Sequence, residues 1–365
     1  MKKHLLYSFL MILPLMASAD PVEIDGIYYS LIDKAKIAEV TSNPNKYSGN
    51  IVIPESISYN GEKYEVTSIG ENAFLDCNNM KSIEIPSSIT SIKEHSFVNC
   101  FGLTSISIPG SITYIGVGAF AFCINLINIK LHEGLIELDN GAFSTCTELV
   151  DFVMPNSVEK TNGALFAHCE KLSNVVLSTK LTKIDDATFE DCTSLKSIQI
   201  SDNIKEIGLI AFAGCINLNS VSISNNIETI GKQAFEGCTN LKSVMIGKGI
   251  KRIDAKAFAR CPNIEDVYCL SDDVPETKAN VFEDSYISHA KLYVPELIAD
   301  QYSSSVPWSD FGTIIPLTDT GVENPIIEPN TYNVFSLDGK EIKHLQKGLN
   351  IIKNADGTIK KIIVR

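Results

Sequence analysis

The chain holds one tryptophan, Trp308, in 365 residues. No run of about 18 apolar residues follows the first few residues, so no later segment is long enough to span a bilayer as a helix. No two cysteines stand in the C-x2-4-C spacing from which structural zinc sites are built. G-x-S-x-G, H-E-x-x-H, a Walker-type phosphate loop, a dinucleotide fingerprint and the calcium-binding nonapeptide of β-helices are all missing. Positive charge is scarce: 31 Lys and Arg face 44 Asp and Glu, a formal net charge of -13. Such a surface repels phosphate backbones and argues against a nucleic-acid partner. No catalytic residue, metal or cofactor is therefore assigned, and the chain is not read as an enzyme. His95, His132, His168, His289 and His344 fall at unrelated places and form no ligand set.

What is present begins with "MKKHLLYSFLMILPLMASA". Lys2 and Lys3 precede an apolar run from Leu5 to Met16, and Ala17-Ser18-Ala19 closes it in the A-x-A manner. Residues 1–19 are expected to be a secretory signal peptide cleaved before Asp20, because the run is too short for a membrane anchor. The residue after the cleavage point is Asp20 and not a cysteine that could carry a lipid. Cleavage would take the charge to about -15, a solubilising surface.

The body is a repeat. Phe74, Phe97, Phe120, Phe143, Phe166, Phe189, Phe212, Phe235 and Phe258 stand 23 residues apart without exception. A cysteine keeps the same step three residues later, from Cys77 to Cys261, and a Leu, Met or Ile follows each cysteine by three, from Met80 to Ile264. The unit reads A-F-x-x-C-x-x-L-x-x-I-x-I-P-x-x-I-x-x-I-G. Its I-x-I segment alternates with period two and predicts a short strand, with Ile83 and Ile85 inward and Ser82 and Glu84 outward. Pro86, Pro109 and Pro155 end such strands. The next apolar pair, Ile89 and Ile92, predicts a second short strand or extended turn on an opposite wall. Gly70, Gly116, Gly208 and Gly231 are expected to give a tight bend without steric penalty. One unit cannot bury its own faces, so the units must stack. The fold class is a repeat solenoid, mainly β with short 3-10 and turn segments and a small β tail.

This pattern, over about residues 66–270, resembles the 23-residue leucine-rich repeats of the bacterial surface antigen A (BspA) type. The stacked units are expected to form a right-handed solenoid, and the resemblance implies a secreted or surface-exposed protein that adheres to host or bacterial surface proteins; export from a Gram-negative bacterium is expected from the tail, residues 331–365. Extracellular-matrix proteins are candidate partners. A carbohydrate-binding or cell-envelope scaffold module is the alternative, and a hydrolase with an unrecognised site is a third class.

Nine equally spaced cysteines in an exported chain raise the question of disulfides. Neighbouring like positions one rung apart have the separation but not the mutual orientation that a bridge prefers. A column of buried free thiols is expected, with Cys269 as a further core residue.

Outward strand positions have no packing duty. One column reads Glu84, Ser107, Lys130, Val153, Val176, Gln199, Ser222, Met245, Tyr268; another reads Lys81, Thr104, Ile127, Val150, Ser173, Lys196, Asn219, Lys242, Glu265. Ile127, Val150, Val153 and Val176 are neighbours, and with Met245 and Tyr268 they are the candidate protein-binding residues on the expected concave face. The β-preference of valine accounts for some of the same residues without binding. Nearby Thr161 replaces an inward isoleucine and Leu165 an alanine. Tyr268 is the one aromatic in these columns, a poor platform for sugars.

The ends complete the organisation. Residues 20–66 are expected to cap the amino-terminal end, with strands near Ile27 to Leu31 and Ile51 to Ile53. Residues 67–316 form the solenoid, whose last unit slips in period because Phe282 lies 24 residues after Phe258. Trp308 is expected to cover that end. Residues 317–330 read as a linker, and 331–365 as a β tail with turns at Asp338-Gly339 and Asp356-Gly357. The tail is similar to the β tails of exported Gram-negative proteins, including sorting tails of the type IX secretion route, and a plain β extension is the other reading.

Overall fold

All but one of the repeat units contribute one long strand, one two-residue strand and one tight turn, and the constant spacing places like positions above one another in three columns. A computed structural model describes residues 20–317 throughout and residues 332–335, 341–342, 348–354 and 359–364 by strand pairing. The signal segment 1–19, residues 318–331 and the two Asp-Gly turns of the tail lie outside the described residues. The chain winds into about 11 turns of a β-solenoid with little helix.

The long-strand wall contains Met80–Glu84, Ser105–Ile108, Asn128–Leu131, Asp151–Val153 and Asn174–Val176. It resumes at Ser220–Ile223, Ser243–Ile246, Asp266–Cys269, Lys291–Pro295 and Thr313–Leu317. Pairing is parallel and in register from Ser105 to Val176 and from Ser220 to Leu317, so that Ile106 faces Ile129 and Val244 faces Val267, whereas Met80–Glu84 pairs with Gly49–Val52 and not with Ser105–Ile108. The opposite wall is made of pairs such as Tyr114–Ile115, Glu137–Leu138 and Lys160–Thr161, then Lys183–Ile184 and Glu206–Ile207.

The third column explains the phenylalanines and cysteines together. The Phe97 N–H donates to the Ala119 carbonyl in the next unit at 2.7 Å, and its own carbonyl accepts from the Cys100 N–H at 3.2 Å and from the Cys123 thiol at 3.0 Å. The thiol bond recurs from Cys100 to Cys261 at 3.0 to 3.2 Å. Every cysteine is free and buried, so the column is one of thiol donors that tie each turn to the one before it. Phenylalanine rings stack beside it, for example Phe235 on Phe258 with centroids 5.1 Å apart and planes 1° apart. The same job passes to a hydroxyl in the slipped unit, where Ser285 Oγ donates to the Phe258 carbonyl at 2.6 Å and accepts the Cys261 N–H at 2.9 Å.

The glycines before the turn serve a different purpose from the one expected. Neither Gly208 nor Gly231 has a positive φ. A Cβ on Gly208 would sit 2.7 Å from the Asp186 backbone nitrogen of the unit below, so close approach of successive rungs selects glycine there. The left-handed conformation falls instead on the residue before each cysteine, Asn99, Phe122 and Thr145 among them, all with φ of 60°.

At the amino-terminal end, Val22–Ile24, Ile27–Ile32 and Ile37–Thr41 pair antiparallel, and Glu62–Ile69 joins them to the short-strand wall. Gly49–Val52 pairs with Met80–Glu84 and begins the long-strand wall. Tyr47 lies against Phe74 at 4.8 Å and starts the ring stack. At the other end Phe282 meets Phe311 and Trp308 edge-on, and the Tyr302 hydroxyl bonds Cys269 Sγ at 3.3 Å. Trp308 is fully buried, which places it in the cap and away from any ligand. Leu317 ends a strand paired with Pro295, so the ordered wall runs one residue into the stretch read as linker. The tail strands form an antiparallel sheet in the order 341–342, 332–335, 348–354, 359–364.

The regular stack is interrupted in the middle. Phe152 takes an inward strand position where other units carry Ile or Val, and its ring lies 5.2 Å from Phe143 and 4.5 Å, edge-on, from Phe166. It wedges between them, and the Phe143 to Phe166 spacing widens to 6.0 Å. Across the same boundary the short-strand wall opens, with no pairing between Lys160–Thr161 and Lys183–Ile184. Side chains bridge the opening: Thr161 Oγ1 donates to the buried Asp185 carboxylate at 2.7 Å, and Lys183 pairs with its other oxygen at 2.6 Å. One unit later, residues 197–200 form no strand.

Candidate binding face

The outward columns of the long-strand wall place the sequence-derived candidates in two clusters. Val153 and Val176 are direct cross-strand neighbours. They are 63% and 56% exposed, unusually open for paired valines, while Ile127 is exposed and Val150 half-buried beside them. This first cluster covers the outside of the boundary that Phe152 wedges from within. Its two pairs, Ile127 with Val150 and Val153 with Val176, are separated along the strand by the exposed Asn128, Asp151 and Asn174; grouped apolar surface marks interaction sites more often than scattered residues do.

Met245 and Tyr268 form the second cluster and do not join the first, since Gln199 and Ser222 intervene. Met245 pairs with Tyr268, and Tyr268 with Tyr293. The two tyrosine rings stack at 4.3 Å with planes 8° apart, and the Tyr293 hydroxyl donates to Asp266 Oδ1 at 3.2 Å. Burial, followed by the Asp266 charge, pushes the Tyr293 phenol up to about 12. Tyr293 corrects the expectation of a single aromatic in the column. It lies 25 residues after Tyr268 and so falls outside a strict 23-residue register; the apolar alternation of "KLYVP" is the signal that could have found it.

Reactive arrangements elsewhere are sparse. His132 Nε2 lies 3.3 Å from Ser107 Oγ, and His168 Nδ1 lies 3.2 Å from Asp191, both at exposed sites and neither oriented by a third group. An open cleft of about 550 Å³ beside the first unit is lined by Lys36, Glu55, Lys63, Glu65 and Ser88. Lys36 there is committed to Glu62 at 3.7 Å and to the face of Tyr64. Among the described residues no group of three or more His, Cys, Asp or Glu is placed to hold a metal. Burial pushes the Cys169 and Cys261 thiols up to about 12 and so holds them protonated. Among the described residues no helix is long and apolar enough to cross a membrane.

Comparison with known proteins bears on the whole stack. The family profile described as BspA type leucine rich repeat region, in six copies, matches residues 55–173 and 160–288. No curated protein matches. Among solved structures, a leucine rich cell surface protein of Faecalibacterium prausnitzii is 20% identical over 81% of this chain and 94% of its own, with a TM-score of 0.47. The pneumococcal vaccine antigen PcpA is 18% identical over 81% and 98%, with a TM-score of 0.47. The leucine rich repeat protein of T. pallidum is 27% identical over 59% and 87%, with a TM-score of 0.44. With its stacked 23-residue units and this profile match over most of its length, the chain belongs to the BspA-type leucine-rich repeat family.

Proposed function

We propose that the protein is an exported, surface-exposed scaffold that binds another protein through the cluster of Ile127, Val150, Val153 and Val176. The observation that carries this reading is the pair Val153 and Val176, two cross-strand neighbours left open on a wall whose inner positions hold the core. Apolar anchors with polar neighbours supply most of the affinity of protein interfaces, and here the exposed Asn128, Asp151 and Asn174 run as a polar column between Ile127 and Val150 on one side and Val153 and Val176 on the other. Met245 and Tyr268, with Tyr293, make a secondary contact. Export follows from the pattern of residues 1–19, and adhesion to host or bacterial surface proteins, extracellular matrix among them, follows from the BspA-type resemblance. The carbohydrate reading has less support, because the faces of Tyr268 and Tyr293 are turned on each other and leave no flat platform between them.

The test is binding of residues 20–365 to arrays of extracellular proteins and glycans, beside the Val153→Asp/Val176→Asp variant. Saturable protein binding that falls at least tenfold in the variant, with an unchanged melting curve, is the expected result. Glycan binding, or protein binding that the variant leaves intact, would overturn it.

A further inference from the structure

The charges around the central cluster are few, two cations and one carboxylate. Between Thr104 and Ser222 the outward strand positions hold three ionisable residues, Lys130, Asp151 and Lys196. The Asp151 carboxylate accepts a bond from Asn174 Nδ2 at 2.6 Å. Glu148 and Lys171, at the strand entrance, neutralise each other at 2.6 Å. Lys130 and Lys196 are exposed, and among the described residues neither has an ion-pair partner, as is also true of Lys81 and Lys291 on this wall, while Lys242 is paired with Glu265 at 3.1 Å. In a chain of net charge -13 this leaves an apolar patch bracketed by two free cations.

Their placement carries a length. Lys130 and Lys196 are three units apart along the stack and three residues apart along the strand. At about 4.8 Å per rung and about 3.3 Å per residue, the diagonal between them is roughly 17 Å, the length of about five extended residues. That diagonal crosses the two middle strands between Asp151 and Val153 and then at Asn174, beside Val176.

Resting on the reading of this cluster as a protein-binding site, we propose that its partner presents an extended segment of about five apolar residues with an acidic residue at each end. The valines supply the contact area, and the lysines set orientation and select against basic segments by charge complementarity. Opposite charge also raises the encounter rate and makes it sensitive to salt.

Selection from a random dodecapeptide display library on residues 20–365 tests this, run in parallel on the wild type, Lys130→Glu/Lys196→Glu and Val153→Asp/Val176→Asp. All four side chains are exposed or on the outer face, and equal melting temperatures confirm that each variant is folded. The wild type is expected to enrich apolar segments with acidic ends. Lys130→Glu/Lys196→Glu should recover those clones at least tenfold less well and turn the selection to basic ends. Wild-type enrichment without acidic bias, an acidic bias unchanged by the lysine reversal, or no enrichment at all would overturn the inference. If the lysine variant selects as the wild type does while the valine variant loses its clones, the site stands and only the charge assignment fails. If the valine variant selects the same clones, the site itself is wrong.

Discussion

From Ser220 to Leu317 the long-strand wall is five paired strands whose inward residues Val221, Val244, Val267 and Leu292 are buried. From Asn174 to Ile200 the same kind of unit leaves Val175, Leu177, Ile198 and Ile200 half-buried, and residues 197–200 join no ladder. The contrast separates what propagates a solenoid from what decorates it. Through both regions the turn column is unbroken: Phe166 N–H reaches the Thr188 carbonyl at 2.9 Å just as Phe235 N–H reaches Ala257 at 2.8 Å. The two sheets can open one at a time because stacked rings, thiol bonds and turn amides still link each unit to the next. Nearest-neighbour coupling of this kind is what allows a repeat protein to tolerate a local fault. The fault is built from two residues of the wrong size and polarity, a Phe152 too large for its position and an Asp185 that replaces ladder bonds with side-chain ones.

If the turn column is common to both regions, alkali should weaken both together, and this is the largest effect expected. A thiol ionises near 8.5 in the unfolded chain, whereas burial holds Cys169 and Cys261 protonated up to about 12. The folded state therefore keeps protons that the unfolded state releases, and stability falls as pH rises from about 8.5 through about 12. Urea midpoints measured in reductant at pH 8, 9 and 10 should drop steadily. A flat series would mean that the thiols are not sequestered.

A sharper separation of the regions comes from Phe166→Ala beside Phe235→Ala. Each removes a buried ring and should cost about 3–5 kcal/mol. Phe235 lies where both walls are paired, so its loss should leave a single urea transition with unchanged slope. Phe166 also supports Phe152 and lies where the short-strand wall is open, so its loss should split the transition or lower its slope. Identical slopes in the two variants would show that the central units are coupled by something other than the turn column.

The side-chain bridge gives the next test. Asp185→Ala leaves the Thr161 hydroxyl without its partner inside the molecule and should cost about 1–3 kcal/mol. Thr161→Ile/Asp185→Gly restores the usual residues of the unit and should recover that loss, with new hydrogen-exchange protection at the Thr182 amide as the wall closes. Protection that stays at the parental level would assign the opening to Phe152 alone.

Much of this was legible beforehand, for definite reasons. A 23-residue period locates every Phe, Cys and inward strand residue, because like positions must stack, and the outward columns follow by alternation. The spacing also brought Val153 and Val176 together correctly. It could not find Tyr293 and Ser285, since one insertion moves a residue out of register while its backbone partner stays the same. Nor does a period reveal a wedge: Phe152 counts as apolar and inward like its neighbours, and it is its volume between Phe143 and Phe166 that sets it apart.

Ser285 also supplies the smallest and most discriminating prediction. It accepts and donates at the turn as a cysteine would, bonding the Phe258 carbonyl at 2.6 Å. If the thiol's role is to donate to the carbonyl of the preceding unit, a hydroxyl should replace it at little cost, and a methyl should not. Cys215→Ser is then expected to change stability by under about 1 kcal/mol, the balance of a stronger hydrogen bond against the poorer burial of oxygen, while Cys215→Ala loses the donor and leaves a small void worth about 1 kcal/mol or more. The same pair at Cys169, inside the wedged region, should show a wider gap between Ser and Ala, because the Phe143 carbonyl there bonds across the most separated pair of rings. Equal costs for Ser and Ala at both positions would reduce the column to apolar filling, and the hydrogen bonds drawn along it would carry no weight in holding the units together.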